Sequence, residues 1–151
     1  MWNKSLAVVC SLALVPGCIV YDDGPAPSSN TGGSSGIVNS APIVDWATGG
    51  CYWDSYYYDD IWYFEADVYD PDSIWDVAAV YADVYDSWSG EWVDSFELYG
   101  TDDPSVWFSD WLGASTYLDC YYSGYEVDIV VYDSLDDYDV MTIYPETYGY
   151  Y

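Results

Sequence analysis

Carboxylates are the only abundant side chains in this sequence that could perform acid–base or metal chemistry. The 151 residues include 27 Asp and Glu, one basic residue, Lys4, and no histidine. The nucleophile and base pairings of most hydrolases are therefore missing, and a structural zinc site has no imidazole to use. Two carboxylates alone could serve a small glycan hydrolase, which is the alternative interpretation. Because 27 acids place such a pair almost anywhere, the pattern favours a protein that is not an enzyme.

The charge balance also limits the partners. The formal net charge of -26 would repel a phosphate backbone, so nucleic acid is excluded as a partner. Extreme charge often indicates disorder, but here 52% of the residues are hydrophobic and 21% are aromatic. That content is enough to bury a core, so the chain is predicted to fold.

Two similar runs in the middle of the chain indicate the elements that hold these acids. Residues 66–70 and 82–86 both read Ala-Asp-Val-Tyr-Asp, and each closes a stretch in which apolar and polar residues alternate. A period of two predicts half-buried strands, and Pro71 predicts the turn between them. The residues predicted to face inward are Trp62, Phe64, Ala66 and Val68 in the first strand and Ala78, Val80, Ala82 and Val84 in the second.

The same pattern predicts an all-β domain over residues 41–151. The predicted strands are 42–47, 61–69, 77–85, 92–99, 106–112, 126–132 and 140–144. Seven short strands separated by Gly, Asp, Ser and Pro turns predict a seven-stranded antiparallel sandwich. The opening Ala41-Pro42, the Asp-Pro-Asp turn at 70–72 and the run 127–133 resemble bacterial immunoglobulin-like and cadherin-like surface domains, or a fibronectin type III domain.

In such a sandwich the connections after the second, fourth and sixth strands lie at one end. That arrangement would bring together five loop aspartates, which are Asp70, Asp72, Asp103, Asp133 and Asp136. Calcium takes six to eight oxygen ligands in irregular geometry, so the expected cofactor is Ca²⁺ bound by these residues. The alternative is that they only form turns, which aspartate also favours.

Tyrosines on the outward face of the strands are the candidate ligand-binding residues. If Val80 and Val84 face inward, Tyr81 and Tyr85 face outward, and Tyr132 lies on the neighbouring sixth strand. The three rings could stack on a glycan or on a surface protein. The alternative is that tyrosine simply covers the apolar body of a protein that lacks lysine and arginine.

The first residues are predicted to export the chain. Residues 1–17 combine Lys4 with a short apolar stretch, and the ending Val15-Pro16-Gly17-Cys18 resembles the lipobox of bacterial lipoproteins. The resemblance implies a signal peptide, a lipidated Cys18 and a membrane anchor. Ile19 in place of aspartate implies the outer membrane. The alternative is an ordinary secretory leader with an incidental cysteine.

A polar tether and one disulfide complete the prediction. Residues 18–40 are rich in Gly, Ser and Pro and predict a flexible tether that follows the lipidated cysteine. Cys10 would leave with the leader and Cys18 would take the lipid, so Cys51 and Cys120 remain to pair in an oxidising compartment. Their loop of 69 residues would contribute about 4 kcal/mol if chain entropy dominates.

Overall fold

A computed structural model describes residues 39–148 of the chain. The predicted signal peptide at 1–17, the predicted lipidation site Cys18 and nearly all of the predicted tether lie outside these residues. All seven predicted strands are present. They are β1 (Ile43–Asp54), β2 (Asp59–Tyr69), β3 (Val77–Asp86), β4 (Trp92–Gly100), β5 (Val106–Leu112), β6 (Tyr125–Asp133) and β7 (Tyr138–Ile143).

The strands form one antiparallel sheet in the order β1-β2-β5-β4-β3-β6-β7. β4 joins its two parts, because it pairs with β3 along most of its length and with β5 only at Tyr99 and Gly100. At the outer edges, Glu146 forms a parallel bridge to Gly50 of β1. The sheet is therefore nearly closed and barrel-like, which confirms an all-β fold of seven antiparallel strands.

The core lies inside this sheet and follows the predicted alternation. Trp62, Phe64, Ala66 and Val68 of β2 are fully buried against inward residues of β3 and β6 such as Val80, Val84 and Ile129. The prediction that Ala78 faces inward is wrong. A bulge between Val77 and Ala79 shifts the register with β6 and leaves Ala78 exposed.

β1 continues seven residues beyond the predicted end at position 47, because two glycines permit close packing there rather than a turn. A Cβ on Gly49 would lie 2.6 Å from Cδ1 of Phe64, and one on Gly50 would lie 2.8 Å from the carbonyl oxygen of Glu146. Cys51 therefore lies within β1 and not in the following connection. It forms the predicted disulfide with Cys120, at a Cα–Cα distance of 6.0 Å.

The connections are arranged at two ends as predicted. At one end, the backbone N–H of Ser134, after β6, donates to the carbonyl of Asp76, before β3. At the other end, the N–H of Ser87, after β3, donates to the carbonyl of Gly124, before β6. The acidic connections after β2 and β6 thus meet at the end away from the disulfide.

We expect Phe64→Ala to lower the free energy of unfolding by about 3 to 5 kcal/mol, because the cavity it leaves lies in a fully buried part of the core. Phe108→Ala is the matched control, since Phe108 of β5 is only half-buried on the outward face. Urea unfolding of both variants measures the difference. Equal losses would contradict the assignment of the two faces.

Candidate cation site

Three strands end in the same aspartate arrangement. Asp70, Asp86 and Asp133 follow Val-Tyr at the ends of β2, β3 and β6, and each uses Oδ1 to accept backbone N–H groups of the connection that follows. The distances from Oδ1 to the nitrogen two residues later are 2.8, 3.0 and 2.8 Å, respectively. The repeated Val-Tyr-Asp sequence is thus a strand that ends in a side-chain-capped turn.

Two of these aspartates belong to a compact carboxylate group. Oxygens of Asp70, Asp76 and Asp133 lie within 4.8 Å of one another. Asp70 and Asp133 are each 2% exposed, and Asp76 is half-buried. No cationic side chain occurs in residues 39–148, so three carboxylates share this space without a charged partner from the domain.

Asp76 reaches the group through a single 3₁₀ turn, Ile74–Asp76, between β2 and β3. The Ser73 hydroxyl caps this turn by accepting from the N–H of Trp75 at 3.2 Å. The Ser134 hydroxyl then donates to the carboxylate of Asp76. Asp76 was not among the predicted ligands, although Ser73 followed three residues later by an acid is a spacing typical of a helix start.

The three carboxylates have different hydrogen-bond partners. Oδ2 of Asp133 accepts from the Asn39 side chain at 2.6 Å, and Oδ1 of Asp76 accepts from the Ser134 hydroxyl. Oδ2 of Asp70 is buried and has no hydrogen-bond partner within the part of the chain that the structure describes. A buried acceptor without a donor costs about 1 to 3 kcal/mol, and more when it is charged. The site therefore lacks one positive or donating group beside Asp70.

The hydrogen bonds at Asp133 favour its charged form. Burial alone would raise the pKa of this carboxyl, but hydrogen bonds from Asn39 and from the N–H groups of Leu135 and Asp137 outweigh burial and lower the pKa. Asp133 is thus an anion at neutral pH, as a metal ligand must be.

The structure places the other three predicted calcium ligands outside this group. Asp72, Asp103 and Asp136 are exposed. Asp72 accepts from the N–H of Ser40 at 2.7 Å, and Asp103 accepts from the N–H and hydroxyl of Ser105. Asp136 has a positive φ of 66° in the β6–β7 turn. Of the five, the structure brings together Asp70 and Asp133.

The predicted tyrosines lie on the outward face of β3 and β6. Tyr81, Tyr85 and Tyr132 are half-buried, and the ring centroids of Tyr81 and Tyr132 are 6.3 Å apart in an edge-to-face arrangement. Tyr138 of β7, which the sequence did not indicate, extends the row at 5.8 Å from Tyr132. We call Tyr81, Tyr85, Tyr132 and Tyr138 the tyrosine face.

The comparisons with known proteins assign no relative. No protein-family model matches the chain, and no curated protein or solved structure matches it. Within residues 39–148, no helix has the length and apolar character needed to cross a membrane.

At the end of the domain away from the carboxylate group, the Tyr122 hydroxyl donates a hydrogen bond to Asp86. The pH dependence of stability tests this hydrogen bond. The Tyr122 hydroxyl is the main reason that the pKa of Asp86 is lowered from 3.8, and Asp86 in turn raises the pKa of Tyr122 above 10.0. The contribution of Asp86 to the free energy of unfolding is present above pH 3.8 and is lost as the pH falls through its lowered pKa. The contribution of Tyr122 is present below pH 10.0 and is lost as the pH rises through its raised pKa.

We therefore expect Tyr122→Phe to destabilise the protein most between these two limits, with a difference from wild type that shrinks on both sides. Urea unfolding across the pH range measures it. Tyr117→Phe is the control, since Tyr117 is 82% exposed, and it should change little at any pH. A Tyr122→Phe difference that stays constant down to strongly acidic pH would contradict the assignment.

Proposed function

We propose that this chain is a lipid-anchored bacterial surface protein whose β domain binds an external partner without catalysis and holds a calcium ion at one end. The lipobox resemblance at Val15-Pro16-Gly17-Cys18 supports the anchor, and the polar residues that follow support a tether. By the same resemblance, Ile19 supports the outer membrane as the destination.

We also propose that the seven antiparallel strands form an immunoglobulin-like sandwich. β1, β2 and β5 are neighbours, as strands A, B and E are in that fold, and β3, β6 and β7 are neighbours, as strands C, F and G are. β4 contacts both groups, and only two residue pairs link it to β5. This strand order supports a sandwich whose two sheets meet along β4.

The observation that carries the calcium proposal is the buried Oδ2 of Asp70 without a hydrogen-bond donor. A cation bound by Asp70, Asp76 and Asp133 would supply the missing partner and offset the repulsion among the three carboxylates. All three contribute oxygen, which is the ligand type that calcium prefers, and water or backbone carbonyls would complete the six to eight ligands.

The proposal that the domain is not an enzyme rests on the carboxyl groups. A glycan hydrolase needs one carboxyl with a raised pKa as its general acid. The pKa of Asp86 and that of Asp133 are both lowered, which is the opposite of what a general acid requires. Neither of these two carboxyls is therefore suited to that role.

Calcium should raise the melting temperature by binding the folded state. Modules exposed to extracellular calcium bind it with Kd about 10⁻⁴ to 10⁻³ M. A concentration ten times Kd would add about 1.4 kcal/mol to the free energy of unfolding. Thermal melts in calcium chloride measure the effect, and sodium chloride at matched ionic strength controls for screening of the surface charge.

Asp70→Asn should abolish the calcium-specific part of this rise while it retains a side-chain oxygen for the turn. Asp102→Asn is the matched control, because it removes the same charge from an exposed position at the same end of the domain. The calcium proposal fails if calcium adds nothing beyond sodium, or if Asp70→Asn responds as the wild type does.

Cys18→Ser should release the protein from the membrane fraction, because the lipid is the proposed anchor and the tether separates it from the domain. Cys10→Ser, within the predicted leader, is the control and should remain in the membrane fraction. Fractionation and immunoblotting measure both. Retention of the Cys18→Ser protein in the membrane would rule out the lipid anchor.

A further inference from the structure

Three rings of the tyrosine face, those of Tyr81, Tyr132 and Tyr138, neighbour one another across three adjacent strands. Tyr81 lies opposite Val130, and Tyr132 lies opposite Tyr138, so residues of β3, β6 and β7 share the outward side. Val130 is only 8% exposed although it faces outward, while Tyr138 is 60% exposed. The rings thus form an apolar floor with an open edge, and such a surface is suited to binding.

Carboxylates continue this face along the same strands. Asp83 and Asp128 lie directly opposite each other on β3 and β6, and Glu97 of β4 lies opposite Tyr81. Like charges in directly opposite positions destabilise a sheet. One hydroxyl donates a hydrogen bond to each aspartate and so stabilises its charge. Ser95 donates to Asp83 and Thr142 donates to Asp128, each at 2.6 Å. Neither hydroxyl brings a positive charge.

The carboxylates near these rings affect the pKa of Tyr85. Burial is the main cause of the raised pKa of its hydroxyl, and the charges of Asp83 and Asp128 add to it. Tyr85 therefore stays protonated beside two carboxylates. A surface that combines aromatic rings and carboxylates attracts a cation by two interactions, one with the ring electrons and one with the carboxylates.

We propose that the tyrosine face binds an arginine-rich segment of a partner protein. The guanidinium group is planar, stacks on aromatic rings and pairs with carboxylates, so one residue type satisfies both parts of the surface. A second copy of this chain is disfavoured by the net charge of -26. The inference rests on the proposed binding function and specifies its partner, and it requires neither the lipid nor the calcium site.

Titration of the purified full-length chain with an arginine-rich peptide tests the proposal, with fluorescence anisotropy as the readout. A peptide with lysine in place of arginine should bind more weakly, because the ammonium group does not stack as the guanidinium does. Removing one ring by Tyr138→Ala or Tyr81→Ala should weaken binding about two- to five-fold. Tyr138 is the safer variant for folding, since more than half of its surface is exposed.

Matched variants separate this face from general charge attraction. Tyr56→Ala removes an exposed ring from the β1–β2 connection, and the pair Asp102→Asn, Asp103→Asn removes two charges from the β4–β5 connection. Both should bind the peptide nearly as the wild type does, whereas Asp83→Asn, Asp128→Asn should bind it several-fold more weakly. Equal weakening in the matched variants would overturn the proposal, because only total charge would then matter.

Three other results would overturn it as well. They are no peptide binding by the wild type, binding of a neutral glucan oligosaccharide instead, and self-association in sedimentation that Tyr138→Ala removes. If the protein stays membrane-bound and responds to calcium but does not bind the peptide, only the inference about the tyrosine face fails. The anchoring and calcium results test the proposed function separately.

Discussion

Carboxylates in residues 39–148 have to be stabilised without a single cationic side chain, and the connections and the surface of the domain follow from this constraint. All acidic residues except Asp22 and Asp23 lie in this part of the chain, whereas the only basic residue is Lys4. The available donors are backbone N–H groups, hydroxyls, amides and the indole N–H of tryptophan. Asp70, Asp86 and Asp133 accordingly use Oδ1 to accept the N–H groups of the turns that follow them.

The same constraint distinguishes a structural aspartate from a candidate ligand. Turn formation satisfies one oxygen of each carboxylate, so the second oxygen shows whether something is missing. Tyr122 serves the second oxygen of Asp86, and Asn39 serves that of Asp133. Asp70 has the same capped turn but no donor for Oδ2. The cation proposal therefore depends on this difference within one repeated motif and not on the number of acids.

The strands were predicted well because burial of one face of a strand imposes a period of two on the sequence. This period is visible wherever the inward residues are clearly apolar and the outward residues are clearly polar. The sequence missed the continuation of β1, because Gly49 and Gly50 have no side chain to show alternation and glycine also signals a turn. It missed the bulge at Ala78, since alanine suits either face. It missed Asp76, because the 3₁₀ turn that carries it is only three residues long.

The pairings of the sheet were harder to predict than its strands. Local pattern shows that β4 is a strand, but its two pairings depend on contacts with residues distant in sequence, Phe108 and Trp107 on β5 among them. The closing bridge between Gly50 and Glu146 has the same origin. Such contacts are decided by packing of the whole sheet, so a single sequence does not reveal whether two sheets stay separate or join.

Tyrosine has a role here that lysine could not fill. A lysine beside each carboxylate would satisfy it but would also cancel its charge. A tyrosine hydroxyl donates a hydrogen bond and leaves the charge in place, as Tyr148 does to Asp60 and Tyr144 does to Glu126. Burial and Asp60 raise the pKa of Tyr148 to about 12, so the hydroxyl remains a donor at neutral pH. The domain can therefore fold with its carboxylates hydrogen-bonded and still present a negative, aromatic surface to a cation from outside.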